Sequence, residues 1–156
     1  MMTKRIPIPL VAIFILFTLV LDIQSEAQVF QHADSAFSAS SEHGKPLLLI
    51  FSGSDWCPNC RRLEKSVLNT PEFSNYLKEN IILLTADFPQ RKKQEAALKD
   101  QNEKLAEKYN PQGLFPTLVL FEPGGNKKSY IGYKNQTPDE FIDILNMNIQ
   151  NFDRID

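Results

Sequence analysis

Cysteine and histidine are scarce: the 156-residue chain carries two of each. Two cysteines cannot build a disulfide-dense miniature scaffold, and four soft side chains are the most that could meet a structural zinc. Basic excess is missing too. Lys and Arg number 17 against 19 Asp and Glu, a net charge of −2, which argues against nucleic acid as a partner because gripping phosphate backbones needs a cationic surface. After residue 27 no repeat, low-complexity tract or Pro/Gly linker divides the chain. What remains, with 42% apolar residues, is the material of one domain with an ordinary core.

The N-terminus is set apart from that domain. Lys4 and Arg5 precede an uncharged run from Ile6 to Leu21, and the small-x-small triplet Ser25-Glu26-Ala27 follows. This order is that of a secretory signal peptide over residues 1–27, cleaved after Ala27. An uncleaved anchor is the alternative, since about 20 apolar residues span a bilayer; Pro7, Pro9 and the short run weigh against it. Either way the domain over residues 28–156 is expected to be periplasmic or secreted, where disulfides persist.

Within that domain the periodicity predicts a short helix near 34–42, stopped by Gly44 and Pro46. Leu47 to Ser52 is a continuous apolar run, the pattern of a strand buried on both faces. A loop, Gly53 to Trp56, leads into a helix over 57–68, and Thr70-Pro71 caps a second one to about Glu79. Ile81 to Ala86 reads as another buried strand. Residues 90–109 are helix-rich and charged, forming a solvated face or a docking insertion. Thr117 to Phe121 and Lys127 to Tyr133 form a hairpin, and the last helix opens with the capping box Thr137-Pro138-Asp139-Glu140. These elements assemble as an α/β sandwich, a mixed sheet of four to five strands with helices on both faces, and chemistry is expected at the carboxyl ends of the first strands.

There the sequence places Trp56-Cys57-Pro58-Asn59-Cys60. Cysteines at i and i+3 share one face of a first helical turn, within reach of a mutual disulfide. Unpaired N–H groups and the helix dipole favour a thiolate there. Cys57, nearer the helix end, is expected to attack, and Cys60, deeper in the turn, to resolve the mixed disulfide. Electrons then travel through sulfur alone, so neither cofactor nor metal is called for. Two other readings compete. The pair could be half of a zinc site completed by His32 and His43, or a plain structural disulfide, which a loop this short would make a weak staple.

With Phe115-Pro116-Thr117 leading into a later strand and Gly132 closing the hairpin, these motifs resemble the thioredoxin superfamily over about residues 40–150. The pattern from Trp56 through Glu64, with Thr70 to Phe73, is similar to secreted bacterial thioredoxin-like proteins and to the C-terminal thioredoxin-like domain of the thiol:disulfide interchange protein DsbD. The resemblance implies a three-layer thioredoxin-like sandwich and a cis Phe115-Pro116 bond opposite the cysteines. It implies a client segment pairing with the backbone of Phe115, and client contacts from Trp56, Pro58, Asn59, Pro116 and Thr117. It implies an exported thiol-disulfide oxidoreductase acting on protein disulfides or dithiols, as a reductant or relay fed by a possible membrane-bound electron donor. A disulfide-forming oxidant, and a chaperone-like client-binding module with the cysteines as sensor, are the alternatives.

The chain also departs from the pattern. Thioredoxin has a buried Asp six residues before its first cysteine, and this chain has Phe51 there. Glu64 is the candidate replacement. At about 100° per residue it falls inside the apolar arc with Cys60 and Val67, where desolvation would suit it to proton exchange with Cys60. The competing role is a rim ion pair with Arg61. Trp56 is expected to shield the disulfide and serve client docking, or merely to pack.

Overall fold

The computed structural model describes residues 29–152 and Arg154. The signal peptide expected over 1–27 lies outside the described residues. The apolar runs form one mixed sheet, as anticipated. β2 (Leu47–Ser52) lies parallel to β3 (Ile82–Asp87), and β4 (Thr117–Phe121) lies antiparallel to β2. β5 (Lys128–Ile131) completes the hairpin. A fifth strand, β1 (Val29–Phe30), runs parallel to β3 and gives the order β1-β3-β2-β4-β5. Two residues are too few for a period to register, which is why this edge strand escapes the sequence pattern.

Among the described residues, five helices cover the sheet. α1 (Ala33–His43) ends at Gly44, whose φ of 60° is the left-handed conformation that glycine adopts without a Cβ penalty. α2 (Pro58–Leu63) continues into a π-helical turn, Glu64–Leu68. α3 (Pro71–Asn80) starts at Thr70, whose hydroxyl accepts the Phe73 N–H. α4 (Ala96–Tyr109) begins later than the charged pattern predicted, leaving 88–95 irregular. α5 (Pro138–Phe152) opens with the reciprocal bonds of a capping box between Thr137 and Glu140.

Because β2 is buried on both faces, its alternate side chains feed two cores. Leu48 and Ile50 join Leu63 of α2, Val67 of the π-helical turn, Phe73 of α3 and Phe141 of α5. Leu47, Leu49 and Phe51 join Ala36 of α1 and Tyr109 of α4. This is the three-layer sandwich expected. Phe73 and Phe141 are fully buried, and truncating either to Ala would cost about 3–5 kcal/mol in lost transfer energy and residual cavity.

Register then decides what meets at one end of the sheet. Phe51 stands opposite Thr117, and Ser52 opposite Asp87. The loop leaving β2, the segment leaving β3 and the Phe115-Pro116 bond entering β4 therefore converge.

Candidate active site

Cys57 is the N-cap of α2, in extended conformation, with Pro58 in the first turn. Proline fits there because that N–H has no helical partner. The Cys57 and Cys60 sulfurs form a disulfide, with Cα atoms 5.3 Å apart. The Cys60 N–H donates to Cys57 Sγ at 3.1 Å, so one free amide of the helix start points at the sulfur expected to carry charge. Both cysteines are 4% exposed.

The Phe115-Pro116 peptide is cis. Pro116 and Cys60 line one cavity of about 280 Å³ between α2 and the sheet, together with Glu64, Ser54 and Asp87. Thr117 is half-buried, its hydroxyl donating to the Leu114 carbonyl at 2.8 Å. The buried Asn110 side chain accepts the Leu114 N–H and donates to the Leu114 carbonyl, fixing the approach to Phe115. Pro58 and Asn59 are exposed on the first turn of α2.

Glu64 departs from expectation. It lines the cavity with Cys60, yet the residue is exposed rather than desolvated. No ion pair joins it to Arg61 among the described residues. The helical wheel fails beyond Glu64, where the pitch changes and the positions of Val67 and Leu68 that framed it shift. The Asn69 N–H bonds the Glu64 carbonyl, five residues back, so the 100° step does not hold through the turn.

Three residues of the site were not singled out from the sequence. Asp87 closes β3 and accepts from Ser54 twice, from the backbone N–H at 2.9 Å and from the hydroxyl at 2.6 Å. Asp55 Oδ1 accepts the Gln90 N–H at 3.0 Å, and Oδ2 those of Arg91 and Lys92 at 2.7 and 3.1 Å. These bonds, that of Gln90 foremost, hold the Asp55 carboxyl below its ordinary value of 3.8. Gly53 lies under the Trp56 indole: a Cβ there would fall 2.6 Å from Nε1 and Cζ2. The ring is held by its Nε1–H bond to the Phe88 carbonyl, 2.7 Å, and by edge-on contacts that run Trp56 to Phe115 to Phe88. The one available signal was an aspartate ending a buried apolar run, at Ala86-Asp87.

A family model described as a thioredoxin-like domain matches residues 33–148. The disulfide bond reductase DsbH of Chlamydia pneumoniae is 29% identical over 111 residues, which are 71% of this chain and 62% of that protein. The chain thus spans under two thirds of the length of the curated relatives it matches. Among solved structures, a DsbH oxidoreductase aligns with a TM-score of 0.71 at 24% identity, covering 81% of this chain and 88% of the other. The oxidised C-terminal domain of Neisseria meningitidis DsbD aligns at 0.53 with 24% identity, covering 74% and 90%. These two likenesses carry the fold.

Proposed function

The chain belongs to the thioredoxin-like domain family, and on that premise we propose that it is an exported, periplasmic thiol-disulfide oxidoreductase that reduces protein disulfides or relays electrons to them. The observation that supports this most is the Cys57–Cys60 disulfide at the start of α2, with an amide aimed at Cys57 Sγ and Pro116 lining the same cavity as Cys60. The relative named a disulfide bond reductase favours the reducing direction.

In the reduced protein the Cys57 thiolate attacks one sulfur of a client disulfide. A Cys57–client bond forms, the client S–S bond breaks, and one client thiolate leaves. Cys60 then loses its proton and attacks Cys57 Sγ. The Cys57–Cys60 bond forms and the second client thiolate departs, so two electrons have passed from dithiol to client. Glu64, in the cavity with Cys60, takes the proton that Cys60 sheds. Trp56, Pro58, Asn59, Phe115, Pro116 and Thr117 form the client surface, the Phe115 backbone pairing with the client segment. A dithiol donor, which could be membrane-bound, restores the reduced form.

Insulin reduction tests the reading. Cys57→Ser is expected to fall to background, and Cys60→Ser to accumulate mixed disulfides through Cys57. Absence of turnover by the unaltered protein, with client binding intact, would favour a chaperone-like holdase instead. Glu64→Gln is expected to slow exchange and change its pH profile; an unaltered rate from about pH 5 to about pH 9 would remove Glu64 from the mechanism.

A further inference from the structure

Residues 88–95 leave β3 and pass the redox loop before α4 begins. No regular element holds them; Asp55 does, by taking three consecutive amides. With that backbone fixed, Arg91, Lys92 and Lys93 are exposed as a cationic ridge. Between the ridge, Trp56, Phe115 and α4 lies a cavity of about 550 Å³, within the roughly 300–1,000 Å³ typical of ligand pockets. Its floor is aromatic. Trp56, Phe115 and Phe88 meet edge to face, with centroids 5.2 and 5.5 Å apart. Its rim carries Lys92 and Lys99, together with Glu103, which is drawn to Lys99 at 3.7 Å. No carboxylate pairs with Lys92 among the described residues.

We propose that this cavity is a client subsite selecting segments in which an aromatic residue and an acidic residue follow the reactive cysteine. The inference rests on the oxidoreductase reading of Cys57 and Cys60 and deepens it. Continuity argues for it: Trp56 adjoins Cys57 and Phe115 adjoins Pro116, so a client whose sulfur reaches Cys57 lays its neighbouring residues here. Charge argues for acidity. The Asp55 carboxylate is occupied by amides and Glu103 is engaged by Lys99, which leaves Lys92 to meet a client carboxylate beside the aromatic floor.

Two disulfide peptides, alike except for Phe-Glu or Phe-Lys after the cysteine, provide the test. The reduced protein is expected to reduce the acidic peptide about fivefold or more faster at low salt, with the difference largely gone at about 0.5 M salt. Lys92→Glu combined with Lys99→Glu should invert the order, and replacing Phe by Ser should slow both peptides. Equal rates at low salt, or a preference that survives the double reversal, would overturn the subsite while leaving insulin reduction in place. Failure to reduce insulin and both peptides would overturn the oxidoreductase reading, and the subsite with it.

Discussion

At the scale of single residues, the position of Trp56 depends on an atom that Gly53 does not have. Because an added Cβ would meet the indole at 2.6 Å, Gly53→Ala must push the ring aside or distort the loop. The expected cost is about 1–3 kcal/mol, as for other overpacked sites. Trp56 is the only tryptophan, so its emission reports the change directly: a red shift and easier quenching are expected, and an unmoved spectrum with unchanged stability would show that the ring accommodates the methyl. Asp87 gives a second case. Asp87→Ala strands the Ser54 N–H and hydroxyl, half-buried, at a cost of about 1–3 kcal/mol in a denaturant melt. Asp87→Asn keeps an acceptor for the N–H and should lose less; equal losses would show that these bonds do not matter. Cys57 and Cys60 were legible because their chemistry is written in adjacent letters. Asp55 and Asp87 were not, because Asp55 and Ser54 find partners more than 30 positions away, brought near by the pairing of β2 with β3; nor was Gly53, because the Trp56 ring above it is held by Phe88, 32 positions on.

At the scale of elements, local pattern was enough wherever an element is defined by its own residues. Thr70, Gly44 and the Thr137–Glu140 box mark real helix ends. The pattern misled where a neighbour intervenes. Charged, helix-favouring letters fill 90–95, yet Asp55 has taken the amides of Gln90, Arg91 and Lys92, so α4 starts only at Ala96. That latch has a definite pH sign. The folded state holds the Asp55 carboxyl below 3.8, first through Gln90 and then through Arg91 and Lys92. Its contribution is therefore complete above the unfolded value, about 3.9, and is lost as pH falls through the folded one. The amide resonances of Gln90, Arg91 and Lys92 are expected to titrate together with a shared midpoint below 3.8 and to be flat near neutrality. Asp55→Asn should remove that transition and loosen all three amides at neutral pH. Independent titration of the three would show that no shared carboxylate holds them.

At the scale of the whole molecule, redox direction and folding stability are linked through one cycle. The Cys57–Cys60 bond closes a loop of sequence separation 3, and chain entropy for so short a ring gives it only about 2 kcal/mol of stabilisation. On the proposed mechanism the reduced form would gain something in return: the Cys60 N–H that donates to Cys57 Sγ would face a Cys57 thiolate, an interaction at a helix start worth about 0.3–1 kcal/mol and at most about 2. The remaining architecture, with its two cores either side of β2, does not depend on the bond, so both forms should stay folded. The difference between their unfolding free energies equals the difference between the disulfide's stability in the native and unfolded chains, at about 30 mV for each 1.4 kcal/mol. A reductant needs the disulfide to be the favoured native form, so the oxidised protein should melt above the reduced one by roughly 3–8 °C, the range a 1–2 kcal/mol difference produces in a domain of this size. A reduced form that melts higher would mean that thiolate stabilisation outweighs ring closure, and would assign the protein as an oxidant instead.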